Sequence, residues 1–170
     1  MDYTKGALDI KSGGIAECII KHVGQPAQDW TRFTVGNLKD MTMDARCYAL
    51  QLEPAKKMVS AVTKYRPWVK DVYDCENRAF AFLNDIAEFA EENGYRYGVA
   101  RGALAYLSKS ANGGYHCAPV LPIWDPKKGD LIPWVIEPKY LFRDGRPDQP
   151  EEWKPYKKEI IKWTFVVSPI

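Results

Sequence analysis

The chain has 170 residues, 46% of them hydrophobic and 27% charged, with a formal charge of +2 at pH 7. That length suffices for one domain with its own core, and so small a positive surplus does not predict a nucleic-acid surface. No apolar run approaches the roughly 20 residues that span a bilayer, so no membrane association is expected.

The first residues, Met1-Asp2-Tyr3-Thr4-Lys5-Gly6, are polar and no apolar signal region follows, which predicts a cytoplasmic protein. Four cysteines (Cys18, Cys47, Cys75 and Cys117) lie far apart with no CxxC pair. In that setting they read as reduced thiols, not a disulfide framework. His116 and Cys117 are the only adjacent ligand pair, and strand neighbours point to opposite faces, so no metal and no cofactor are expected.

In chain order, Ile15 to Val23 is compatible with strand or helix, since a short apolar run does not discriminate. Gly13-Gly14 and Gly24-Gln25-Pro26 bound it. A short helix is expected from Asp40 to Leu52. Glu53-Pro54 opens a second helix, whose apolar Met58, Val59, Val62 and Tyr65 keep the helical period; Arg66-Pro67 ends it. Asp74 to Asn93 is the central helix, with Ala79, Phe82, Leu83, Ile86, Phe89 and Ala90 on one stripe. Asp74 is its N-cap and Asn93-Gly94 its stop.

Beyond Gly94 the pattern turns to strands: Tyr95 to Leu107, Tyr115 to Trp124, Leu131 to Glu137 and Glu159 to Val167. Asp125-Pro126-Lys127-Lys128-Gly129-Asp130 reads as a hairpin loop, and 143–156 as a solvated excursion before the last strand. Helices first and an antiparallel sheet second predict a single α+β domain over 1–170, mainly helical in 1–66.

Three residues carry candidate chemistry. Cys75 sits where the central helix begins. His116 follows at a strand opening, and Glu137 comes after it at a strand end. Nucleophile, base and orienting carboxylate in that order are what a thiol acyl-transfer site requires. A helix N-terminus favours a thiolate, and its first-turn N–H groups can donate to an oxyanion. Pairing across the Asp125–Asp130 turn is expected to set His116 and Glu137 almost opposite each other. The bland readings stand beside this: a cysteine on an apolar stripe as a small buried hydrophobe, a strand histidine in packing, and a glutamate ending a strand in solvent. Trp68, Trp124 and Trp134 read as core walls, Cys117 as packing, and Arg101, Lys127 and Lys128 as surface charges.

Tyr73-Asp74-Cys75-Glu76, the Ala/Phe-rich helix after it, Tyr115-His116 and Ile136-Glu137-Pro138 resemble the papain-like C-terminal domain of the fungal agglutinin peptidase family. They are also similar to small bacteriophage and bacterial proteins with the same pattern. The resemblance covers about residues 65–138. It implies a papain-like fold with Cys75 as nucleophile, His116 as base and Glu137 as orienting partner. A broader similarity to transglutaminase-like domains points to the same positions. The chain departs from the pattern at Val69, where papain-like enzymes often carry the oxyanion glutamine, and at Asn77, commonly acidic in the family. Gln51 has no assigned place. The fungal peptidase depends on calcium, but no acidic loop with calcium-ligand spacing occurs here.

The expected function is a thiol hydrolase acting on a peptide or amide bond of a peptide or protein substrate. The alternatives are a non-catalytic phage or bacterial binding protein on the same scaffold, with a host protein partner, and a transglutaminase-like acyl transferase.

Overall fold

The computed structural model describes residues 2–11, 13–24, 46–62, 75–108, 115–136, 151–152 and 160–166. In order they form β1 (Leu8–Lys11), α1 (Gly13–Val23), β2 (Arg46–Ala49), α2 (Leu52–Val62), α3 (Cys75–Glu92), β3 (Gly98–Val99), β4 (Gly102–Ser108), β5 (Tyr115–Asp125), β6 (Asp130–Val135), β7 (Glu151–Glu152) and β8 (Ile160–Val166). This is a mixed α+β arrangement with helices packed on sheets, as the sequence predicts. No helix among the described residues is long and apolar enough to cross a membrane.

The central helix α3 follows from its stripe. Ala79, Phe82, Leu83, Ile86 and Ala90 recur at three- and four-residue steps and are all buried. Full burial of each large apolar side chain contributes about 1.5–3 kcal/mol. The helix ends in a Schellman motif: Tyr95 N–H donates to the Ala90 carbonyl at 3.0 Å and Gly94 N–H to that of Glu91 at 2.9 Å. Gly94 takes φ +66°, which glycine adopts without a Cβ penalty. Tyr95 then packs edge-on against Phe89, the apolar contact that accompanies this cap.

Five strands form an antiparallel sheet in the order β7-β6-β5-β4-β8. The β5–β6 hairpin closes where expected. Asp125 pairs with Asp130, the Asp125 carboxylate accepts from Lys127 N–H at 3.0 Å, and Gly129 takes φ +62°. A second sheet, β1-β2-β3, is mixed, with β2 antiparallel to β1 and parallel to β3.

The N-terminal part differs from expectation. Ile15 to Val23 is helical within α1, which lays Ile15 and Ile19 on the core. Of the expected helix from Asp40 to Leu52, residues 46–49 are the strand β2; residues 40–45 lie outside the described residues. The reason is non-local. Cys47 and Ala49 alternate with Arg46 and Tyr48 in burial, and β1 and β3 supply the backbone partners a short strand needs. The single strand expected from Tyr95 to Leu107 is two, in different sheets. Ala100 N–H donates to the Tyr48 carbonyl at 2.8 Å, ending β3 before β4 joins β5. Within 143–156, Glu151 and Glu152 form an edge strand against Trp134 and Val135.

Two clusters seal the layers. One contains α2, α3, Cys117, Leu121 and Ile123. The other contains Ile15 and Ile19 of α1 with Ala118, Val120 and Val135.

Candidate active site

Cys75 is the first residue of α3. It is half-buried and packs against the α3 cluster, whereas Cys18, Cys47 and Cys117 are buried. No disulfide links the four. First-turn N–H groups of a helix have no intrahelical partner, so Cys75 stands where an anionic intermediate could be held.

The remaining candidates are less fully defined. His116 is the second residue of β5 and pairs through its backbone with Tyr106 of β4. Glu137 lies outside the described residues, immediately after Ile136, whose N–H donates to the Pro119 carbonyl at 2.9 Å. Asp74 and Val69 lie outside them as well.

Strand alternation bears on this pair. Cys117, Leu121 and Ile123 belong to the cluster of α3, while Ala118 and Val120 belong to that of α1. Side chains on a strand change face at every residue, so the two core clusters meet β5 on its opposite faces.

Gln51 has a place in the structure, and not as an oxyanion donor. Its side-chain amide donates to the Gly6 carbonyl at 2.8 Å, and its backbone bridges to Trp124. Gly6 takes φ +78°, which disfavours a side chain there, and a Cβ would stand 2.6 Å from that amide nitrogen and displace it. Trp124 stands at the far end of β5 from His116, about 26 Å of strand away.

Sequence reading did not single out Arg78 and Asp85, the buried charged side chains among the described residues, at 5% and 4% exposure. Arg78 stands one helical turn after Cys75, where side chains are neighbours. Charged residues are seldom buried unless partnered, and one on an apolar stripe was the available signal.

The second histidine, His22, belongs to a structural contact. Its Nε2 lies 3.5 Å from Asp130 Oδ2, and Lys21 Nζ lies 2.6 Å from Asp130 Oδ1. These tie the last turn of α1 to the hairpin. The Lys21 bond holds the Asp130 carboxyl below its ordinary range. Cys18, one turn before His22, donates its S–H to the Leu131 carbonyl at 3.4 Å. Burial, with the Asp130 charge adding to it, pushes the Cys18 thiol up to about 12, so this cysteine, histidine and carboxylate do not make a nucleophile. No group of three or more His, Cys, Asp or Glu among the described residues is arranged to hold a metal ion.

No family model and no curated protein matches the chain. Among solved structures it is similar to PSL1a in a complex with E64, at 18% identity over 65% of this chain and 39% of that one, with a TM-score of 0.45. It is also similar to the Polyporus squamosus lectin bound to the human-type influenza-binding epitope Neu5Aca2-6Galb1-4GlcNAc. There the identity is 15% over 72% of this chain and 40% of that one, with a TM-score of 0.48. The chain thus spans well under half the length of either structure.

Proposed function

We propose that the chain is a thiol hydrolase on a papain-like scaffold, cleaving a peptide or amide bond with Cys75 as nucleophile. The observation that carries this is the contrast among the thiols: Cys75 is half-buried at the head of an 18-residue helix, and the other three are buried. In the proposed reaction His116 takes the Cys75 thiol proton as the sulfur adds to the carbonyl carbon, and first-turn N–H groups receive the oxyanion. Collapse expels the amine, which takes a proton from His116, and leaves a thioester. Water then releases the acid and restores the thiol. Glu137 would hold the imidazole in the required tautomer.

Further support comes from the direction of α3. Tyr3 stacks on Phe89 and its N–H donates to the Tyr95 hydroxyl at 2.9 Å. Further along the same segment, Gly6 meets Gln51, which bridges to Trp124 at the hairpin end of β5. The C-terminal end of α3 therefore lies toward that end. A helix of this length extends about 27 Å, far enough to carry Cys75 away from the hairpin end, as the proposed pairing with His116 requires.

The test is labelling by a thiol-directed activity probe. Wild type labels at Cys75, Cys75→Ala does not label, and His116→Ala labels more slowly with the pH dependence lost. Equal labelling of Cys75→Ala removes the nucleophile from the proposal; unchanged kinetics in His116→Ala removes the base.

Val69, standing where papain-like enzymes often carry the oxyanion glutamine, favours a second reading, a non-catalytic binding protein on the same scaffold. Partner binding of equal affinity by wild type and Cys75→Ala, with no turnover by either, would support it. Acyl transfer to an amine is separated from hydrolysis by product analysis with added amines.

A further inference from the structure

We propose that the exposed end of the β1-β2-β3 sheet binds a phosphate monoester, at a site built from Lys11, Arg46, Tyr48, Arg96 and Tyr97. Ile10, Cys47 and Ala49 pack in the cluster of α1, so Asp9, Lys11, Arg46 and Tyr48 take the opposite face, where Tyr48 and Val99 pack against the cluster of α3 while Asp9, Lys11 and Arg46 are exposed. Lys11 lies directly across from Arg46 in the ladder and Asp9 across from Tyr48. Like charges directly opposite one another oppose strand pairing, yet here a third cation joins them. The guanidinium carbons of Arg46 and Arg96 lie 5.5 and 5.2 Å from the centroid of the same Tyr97 ring. Tyr48 packs against that ring at 5.4 Å.

Only one carboxylate among the described residues answers these charges. Asp9 takes the fork of Arg46, with Nε to Oδ1 at 3.0 Å and Nη2 on Oδ2. Lys11 and Arg96 have no carboxylate partner among the described residues, and both are exposed. Among the described residues, three cations against one anion leave two positive charges in surplus. The two tyrosine hydroxyls add neutral donors.

A donor-rich, doubly cationic patch fits an acceptor-rich dianion. A phosphate monoester carries about −1.5 to −2 charge at pH 7 and three strong acceptor oxygens. A carboxylate carries half that charge and two oxygens. Guanidinium groups, moreover, present a planar fork that matches phosphate geometry. Arg46 is already set by Asp9 and Tyr97, so little side-chain freedom remains to be lost on binding.

The test is calorimetric titration of the full chain at low ionic strength with phenyl phosphate, a nucleoside 5′-monophosphate, a phosphoserine peptide and, as a control, benzoate. Saturable one-to-one binding of phenyl phosphate with no binding of benzoate is expected. Arg96→Gln and Lys11→Gln, both exposed, should each weaken it about tenfold, and Asp9→Asn should tighten it. Preference for the nucleotide or for the phosphopeptide assigns the source of the phosphate. Absence of saturable binding overturns the proposal, as does equal affinity for benzoate or an unchanged affinity in Arg96→Gln. Cys75→Ala must bind as wild type does, so this result stands or falls apart from the thiol chemistry.

Discussion

Replacing Cys18 by serine tests how thoroughly α1 seals against the β5–β6 hairpin. Cys18 is 4% exposed, its S–H donates to the Leu131 carbonyl, and the thiol is pushed up from 9.0 to about 12. An acid whose folded pKa is raised binds more protons in the native than in the unfolded state between those two values. Stability is therefore fully present below pH 9 and falls as pH rises toward 12, by about 1.4 kcal/mol per pH unit. From pH 8 to pH 10.5 the loss from this one group is about 2 kcal/mol. Serine keeps the shape and the donor but does not ionise in that range, so Cys18→Ser escapes the loss. Tyrosines and lysines titrate alike in both proteins and cancel in the difference. Urea unfolding under reducing conditions at pH 8, 9, 10 and 10.5 reads the two curves. Across the series they should converge or cross by the whole of that loss. Curves that stay parallel would mean that water reaches the Cys18 sulfur and that the seal between α1 and the hairpin is open.

Gly94→Ala is expected to destabilise by about 1–2 kcal/mol, because an L side chain at φ +66° meets its own backbone while nothing else lies near. Thermal unfolding should show a drop of a few degrees, and an unchanged midpoint would mean that the cap is not formed. Asp130→Asn removes the acceptor of Lys21 and the neighbour of His22. The lowered carboxyl of Asp130 contributes stability above its ordinary range, lost as pH falls through its folded value. Wild type and variant should thus differ at pH 6 and converge near pH 3 in acid titrations followed by Trp fluorescence. The gap is expected to stay below about 1 kcal/mol, since the pair is partly solvated.

The elements legible in the sequence are those whose information is local. The stripe of α3 repeats through 18 residues and carries its own stop in Asn93-Gly94. The β5–β6 hairpin is written in one short run, Asp125 to Asp130, and its ladder holds from Asp125–Asp130 to Val120–Val135. β2 is not legible, because Arg46-Cys47-Tyr48-Ala49 contains nothing that opposes a helix. Its state is decided by Leu8–Lys11, far earlier in the chain, and by Gly98–Val99, further off still on the other side. The mixed sheet, and with it the cationic face of Arg46 and Arg96, exists only through those remote pairings. Cys75 is legible as a helix start. The burial of Cys18 is not, since it is set by Leu131 and Asp130 of a hairpin remote in the sequence.

The same distinction decides what is asked of His116. Residue order alone sets it one strand beyond the helix, as thiol catalysis requires, but order does not choose a face. That choice depends on where α3 docks, and α3 docks on the face of Cys117, Leu121 and Ile123. The β4–β5 ladder pairs residue for residue from Leu107–Tyr115 to Gly102–Val120, so the backbone at position 116 is held in register with Tyr106. A base at 116 serves Cys75 only if the opening of β5 meets the head of α3. Catalysis by this pair thus depends on Tyr115 and His116 at the opening of β5, and the labelling rate of His116→Ala measures that dependence directly.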